Sequence, residues 1–419
     1  MLVTSEVLAP GIPGFTAADV EEIISRQDEP AWLAERRREA WRLYESMDLP
    51  DPGEEEWRRT NLREMTFDAV RPVRLDQSGG ATSSKVVVSD LASAARERSE
   101  LVQRYLHSTV RPDEWKFVAL NAALWSGGRF VYVPRGVEAM LPLQLSTTGL
   151  DAGGAAFPRT LIIAEAESLV RIVDDSASPG GGFVSSVTEI VVGDGAHVEY
   201  YDINRWGDGV LNFKTVRAVL GRDAEFTALA AGIGSKLTKM RIEVEMPQPG
   251  ARTQLLGVTF GSGKQHFDYN TLQNHHGHHT ISDLQFKSAL TDEASLVWYG
   301  ITRINHGASA SEANQTSRNL LLSDHAKAAP IPILEIEAYD VAKCSHGATA
   351  GPVEETELFY LESRGISKDV AEHMLVEGFF ANVIARIPDA PLRERVLDAV
   401  LEKAGGRLES ITWDEVLAS

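Results

Sequence analysis

Cysteine is almost missing from this sequence: its 419 residues contain one, Cys344. A single thiol excludes an internal disulfide framework, and with it a disulfide-stapled secreted fold. It also excludes a zinc ribbon or an all-cysteine iron–sulfur site built within one chain. Positive charge is in deficit as well, with 41 Lys and Arg against 60 Asp and Glu for a net charge of −19. So acidic a chain lacks the basic surface that nucleic acid or an anionic membrane requires. Long apolar runs are absent. The best candidate, Phe117 to Trp125, is broken by Asn121 and falls far short of the roughly 18 residues of a membrane span. Residues 1–15 have neither a basic head nor an apolar centre, so no secretory signal is expected and the expected location is cytoplasmic. Also missing are the Gly-x-x-x-x-Gly-Lys-[Ser/Thr] phosphate loop, the Gly-x-Ser-x-Gly elbow and His-Glu-x-x-His, so nucleotide hydrolysis is not expected of this chain.

What is present divides into three parts. Thr16 with Asp19 forms a capping arrangement ahead of Val20, Ile23 and Ile24. A second helix is expected from Pro30, carrying Leu33, Ala40, Trp41, Tyr44 and Met47 and stopping before Pro50. Arg36-Arg37-Arg38, interleaved with Glu35 and Glu39, reads as a solvated helix face. After a Gly/Ser stretch at Gln77 to Ser84 the character shifts toward strands. In Lys239 to Met246, for instance, Met240, Ile242, Val244 and Met246 alternate with Lys239, Arg241, Glu243 and Glu245, one face buried and one wet. Leu256, Val258 and Phe260 alternate likewise, as do Leu334, Ile336 and Ala338. Helical patterns return at Ser367, a candidate N-cap followed by Val370, Met374 and Leu375, and at Pro391 with Leu392, Val396, Leu397, Val400 and Leu401 before Gly405-Gly406.

The strands recur at a fixed spacing. Gly193-Asp-Gly-Ala196, Gly221-Arg-Asp-Ala224 and Gln248-Pro-Gly-Ala251 place their alanines 28 and 27 residues apart. A further step of about that size reaches His278, and Glu165-Ala-Glu167 is a fainter earlier copy. Such a quasi-repeat of strands and turns predicts a β-solenoid, each coil burying its face on the next, rather than a sandwich of irregularly spaced strands. The expected fold is therefore mainly β. A right-handed parallel β-helix core over 128–345 is flanked by an N-terminal helical and mixed region, 1–127, and a C-terminal helical domain, 346–419.

Three sets of residues could carry chemistry. His275-His276-Gly277-His278-His279, with His266 upstream, offers imidazoles to a divalent metal, but a structural site usually needs about four ligands, and a polar turn at a coil corner with solvated or hydrogen-bonded histidines is the better explanation. Cys344 and His346, at i and i+2, share one face of a strand. They could be half of a soft metal site, a nucleophile and its base, or plain packing. Asp174-Asp175 and Asp292-Glu293 are adjacent acids that a strand points to opposite faces, so turn and surface roles are expected for them rather than shared acid–base work.

Cys344-Ser-His346-Gly-Ala-Thr349, followed by Glu357-Leu-Phe-Tyr360-Leu-Glu-Ser-Arg364-Gly365-Ile366, strongly resembles the SufB/SufD family of iron–sulfur cluster assembly proteins. Glu29-Pro30-Ala-Trp32-Leu33 with Arg37, and Glu54-Glu-Glu56-Trp57-Arg58, look like the opening signature of the same family. The Cys-Ser-His-Gly-Ala-Thr form is typical of the SufD side, since SufB-type chains usually read His-Glu-Ala there and have more cysteines. The resemblance implies a non-enzymatic scaffold subunit of a SufB–SufC–SufD complex. Its SufB-type partner would pair through the β-helix core, and a SufC-type ABC ATPase would bind the C-terminal helical domain. A homodimer is implied for the isolated protein as an alternative. It also implies that His346, assisted by Cys344, binds iron or a transient iron–sulfur cluster shared with the partner, with no tightly bound cofactor in this chain alone. The rivals are a β-helix carbohydrate-active enzyme and a purely structural subunit with no metal-ligand role.

Overall fold

The computed structural model describes residues 14–60, 62, 70–80 and 85–405. Most of the 1–15 segment, residues 81–84 of the Gly/Ser stretch, and Gly406 lie outside the described residues. The chain opens with α1 (Ala17–Gln27) and α2 (Ala31–Ser46). The Asp19 carboxylate accepts from the backbone N–H (2.7 Å) and hydroxyl (2.8 Å) of Thr16, so α1 starts where its cap was expected. Three short strands follow, β1 (Arg71–Pro72), β2 (Asp76–Gly79) and β3 (Val87–Asp90). Next come three helices that the sequence pattern does not reveal: α3 (Leu91–Glu97), α4 (Ser99–Tyr105) and α5 (Lys116–Leu124).

The solenoid then begins. Its strands are β4 (Gly128–Val133), β5 (Glu138–Thr148), β6 (Gly154–Ala156), β7 (Arg159–Ala164), β8 (Leu169–Ser178) and β9 (Gly181–Val192). They continue as β10 (His197–Trp206), β11 (Gly209–Leu220), β12 (Glu225–Gly232), β13 (Leu237–Met246), β14 (Arg252–Gly261) and β15 (His266–His275). The last five are β16 (Ile281–Leu290), β17 (Ser295–Ile304), β18 (Ser311–Leu321), β19 (Lys327–Ile336) and β20 (Val341–Pro352). One sheet runs β3-β4-β7-β9-β11-β13-β15-β17-β19, with β6 beside β9 and β1 beside β6. The other runs β2-β5-β8-β10-β12-β14-β16-β18-β20. From β4 and β5 onward every pairing is parallel, as a β-solenoid requires, and the antiparallel strands β3 and β2 close the first coil.

The repeat seen in the sequence has a backbone cause. At one corner of each coil a residue adopts the left-handed conformation: Glu167, Gly195, Asp223, Gly250, His279 and Ala310. These residues stack, each joined to the next coil by a backbone bond, such as Gly195 N to Arg222 O at 2.8 Å and Asp223 N to Pro249 O at 3.0 Å. Glycine and aspartate are enriched there because they enter this region at low cost. The alanines that follow, Ala196, Ala224 and Ala251, are completely buried. Between the sheets, side chains stack in columns. Val131, Ile162, Ile190, Ala218 and Val244 form one, and Val170, Val198 and Phe226 start another.

Helices cover both outer faces. Phe117 of α5 stacks on Phe213 of the first sheet with ring centroids 4.3 Å apart. Against the second sheet lie α7 (Lys368–Ile384) and α8 (Ala390–Lys403). Their Val376, Phe380, Val383 and Val396 pack with Tyr201, Ile203, Leu229 and Val258. Asp389 caps α8 by accepting from Leu392 N at 2.9 Å, whereas Ser367 occupies the N-cap of α7 without a side-chain bond. A short α6 (Glu355–Glu362) precedes them.

Two wet-face expectations are overturned. Arg37 is fully buried: it pairs with Glu29 through two nitrogens (2.6 and 2.8 Å), donates to Ala123 O at 3.0 Å and lies 4.0 Å from the Trp125 ring centroid. Lys239 is buried too, held by Asp268 (2.8 Å), by Glu56 O (2.9 Å) and against the Trp57 ring, because residues 54–60 are laid over that face of the sheet.

Candidate functional site

The Cys344-Ser-His346 motif lies in β20, the last strand of its sheet, which among the described residues pairs with β18 alone. Register fixes which way these residues face. Cys344 stands above Ala313, which continues the column Val170, Val198, Phe226, Thr253 and Ser282. His346 stands above Gln315, which continues Ile172, Tyr200, Ala228, Leu255 and Leu284. Both residues therefore extend interior columns onto the terminal coil, where no further coil covers them among the described residues. Cys344 is half-buried against the cluster of Ile304, Ala308 and Ala313, and burial pushes its thiol pKa up. His346 is exposed. Between them Ser345 points outward and donates to Asn314 Oδ1 at 2.8 Å.

Across the mouth of the solenoid, β19 continues the columns of β17: Pro330 above Trp298, Pro332 above Gly300, Leu334 above Thr302 and Ile336 above Ile304. Ile336 is 47% exposed and Tyr339, in the connection to β20, 95% exposed. The terminal coil is thus an apolar rim with one thiol and one imidazole facing it. Thiol and imidazole suit iron and other borderline metals. The thiol would have to lose its proton on binding, which its burial opposes unless the metal itself supplies the compensating charge. Among the described residues no group of three His, Cys, Asp or Glu side chains is placed to hold a metal ion. The pair supplies two donors of a set that would need more.

The other candidates are held differently. His275 is completely buried, bonded to Thr280 Oγ1 (2.7 Å) and Ser282 Oγ (2.8 Å). His276 meets Glu245 at 3.0 Å, and His278 and His279 stack edge-to-face at the left-handed corner. His266 lies between Thr60 Oγ1 and Ser295 Oγ. The histidine run is a coil corner, with its rings spent on separate local contacts. Asp174 and Asp175 diverge across β8 as a strand dictates, but they are buried rather than turn or surface acids. Asp175 pairs with Arg205 (2.6 Å) and Arg395, and Asp174 enters the interior. Asp292 and Glu293 sit at an exposed turn.

Sequence reading missed the polar interior around Asp174. Tyr200 Oη (2.7 Å), Arg129 (3.2 Å) and Lys214 (3.4 Å) reach its carboxylate, and Lys214 also pairs with Asp202. Burial raises the Asp202 pKa to about 6. Burial also opposes the Asp174 carboxylate, but Lys214 and Arg129 hold its pKa below the usual range. The signal was there in part: Asp174, Asp202 and Lys214 fall at the same alternation as the inward Ile172, Tyr200 and Val216 of their strands. Their convergence needed the register.

Residues 146–379 match the family model described as SUF system FeS cluster assembly, SufBD core domain, and residues 73–145 match the SufBD protein N-terminal region. The iron–sulfur cluster assembly protein SufD of Bacillus subtilis is 29% identical over 90% of this chain and 95% of its own length. SufB of the same organism is 28% identical, and a SufBD family protein of Staphylococcus epidermidis 29%, each over 90% of both chains. With more than half its length under the core model and its sole cysteine in the terminal coil, the chain belongs to the SufBD family of iron–sulfur cluster assembly proteins.

Proposed function

We propose that this chain is the SufD-like scaffold subunit of a SufB–SufC–SufD-type machine and contributes half of a cluster-assembly site. The observation that carries this reading is the placement of Cys344 and His346 on one face of an open terminal strand, where a second chain can complete the ligand set. A SufB-type paralogue would dock on the β19–β20 end, and a SufC-type ATPase on the C-terminal helices. Iron, with sulfur supplied from outside, is the substrate. His346 would offer a neutral imidazole nitrogen and Cys344 a thiolate once metal displaces its proton. The apolar rim would exclude water when the partner closes over it.

A carbohydrate-active β-helix enzyme needs an exposed groove with converging carboxylates, and Asp174 and Asp175 instead diverge into separate ion pairs. The scaffold reading is tested by His346→Ala in the complex. Folding and subunit assembly should be retained, and anaerobic cluster formation should slow by roughly tenfold or more. Cluster formation at the wild-type rate in Cys344→Ser/His346→Ala would leave only a structural role.

A further inference from the structure

On the outer face of the second sheet, Lys287 of β16 and Arg318 of β18 are direct partners in the parallel register, with Val258 before them in the row and Thr349 after them. Like charges set opposite each other on neighbouring strands repel. Lys287 is only 5% exposed. Its ammonium donates to Phe379 O of α7 and lies 4.6 Å from the Phe379 ring centroid. That carbonyl is neutral, and the other two N–H groups of the ammonium find no acceptor among the described residues. Buried Lys214 and Lys239, by contrast, each have an aspartate. Burial first, and then the charge of Arg318, push the Lys287 pKa down to about 8. Arg318 is exposed and has neither a hydrogen bond nor an ion pair among the described residues.

Both cations line one cavity of about 590 Å³, bounded by β18, the end of β20, α6 and α7. Leu320, Pro352, Met374 and Phe379 give it apolar walls. Glu354 and Glu357 stand in the wall as well, but neither pairs with Lys287 or Arg318. An anion entering here would relieve both the desolvation of Lys287 and its repulsion from Arg318. Two adjacent positive charges call for a doubly charged ligand, and a carboxylate would leave one of them unmatched. A phosphate monoester carries about −1.5 to −2 at neutral pH. It also offers a bidentate edge to the guanidinium and a point contact to the ammonium. The cavity is far larger than one phosphate, and its apolar walls suit an organic body. We propose that it binds a small phosphorylated molecule, with Arg318 and Lys287 on the phosphate oxygens and the apolar walls around the rest. The site faces away from the solenoid interior and does not depend on the reading of His346 as an iron ligand.

The test titrates the full-length chain with inorganic phosphate and with phenyl phosphate, in a phosphate-free buffer at pH 7 and low ionic strength, by calorimetry and by Tm. One saturable site per chain is expected, with phenyl phosphate roughly tenfold tighter than inorganic phosphate. Equal affinities would overturn the organic body and leave free phosphate as the ligand. Arg318→Gln should bind phenyl phosphate roughly tenfold more weakly or worse. Its ligand-free Tm should be unchanged or higher, because a like-charge contact is gone. Lys287→Met should lose binding in the same way. The proposal is overturned if neither compound binds saturably, or if Arg318→Gln binds both as tightly as wild type.

Discussion

His275 ends β15 with its ring sealed between two hydroxyls. Burial first, and then the neighbouring His276, push its pKa down to about 4 from the ordinary histidine value of about 6.5. Between those two pH values the unfolded chain holds a proton that the folded chain has released, so stability falls as pH drops through that window. At about 1.4 kcal/mol per pKa unit, the whole passage costs about 3 kcal/mol. Thermal melts at pH 7 and pH 4.5 should show a smaller acid-induced loss of Tm in His275→Gln than in wild type. Equal losses would place the sensitivity elsewhere, with buried His107, also pushed well down, as the next candidate. Arg37 and Lys239 show what single-residue reading can and cannot reach. A charged residue between charged neighbours or on an alternating strand is ordinarily wet. These two are buried because distant segments close over them: Ala123 and Trp125 over Arg37, which Glu29 just ahead of α2 neutralises, and Glu56 and Asp268 around Lys239. By contrast the Cys344–His346 pair was legible, because i and i+2 on a strand share a face whatever else is nearby.

At the scale of the element, β19 and β20 are both edges, but they are not equally open. Glu312 N and Leu322 N of β18 bond back to β16, at 2.9 and 2.7 Å, so the odd-numbered residues of β18 face β20. On β20 the main-chain groups of Cys344, His346, Ala348 and Ala350 therefore point outward, unpaired. On β19, Lys327 N and Glu337 N bond to β17, so the outward positions are the even ones, and two of these, Pro330 and Pro332, have no N–H to offer. The edge that carries the motif is the one left competent to receive another strand. Ala348→Pro removes an outward N–H without touching the β18 ladder. It should leave the Tm nearly unchanged and weaken capture of a SufB-type partner by at least tenfold in a titration. Full-strength capture would show that the partner does not pair with this strand. The solenoid itself was readable because the left-handed corner residue recurs once per coil. Helices α3 to α5 were not, since seven to nine residues give too little periodicity and α5 is buried on every side.

Taken as a whole, helices cover much of the solenoid, and among the described residues two neighbouring pairs of large apolar side chains stay bare. Antiparallel β2 and β3 close the first coil, α1, α2 and α5 shield one outer face, and α7 and α8 shield the other. These pairs lie in the terminal coil and in α6. No residue of α6 is buried, and Phe359 and Tyr360 are 71% and 57% exposed. Burying large aromatics is worth about 1.5–3 kcal/mol each, so leaving two adjacent ones in water is a cost that a docking partner would recover. Because α6 stands on the helical side and β20 on the open end, the two surfaces should fail independently. Phe359→Ser/Tyr360→Ser should weaken binding of a SufC-type ATPase by tenfold or more while leaving SufB-type pairing and Tm unchanged. Ala348→Pro should do the reverse. A double surface variant that loses both partners together would mean that α6 and the terminal coil act as one interface, and the division of labour proposed for the two ends would be wrong.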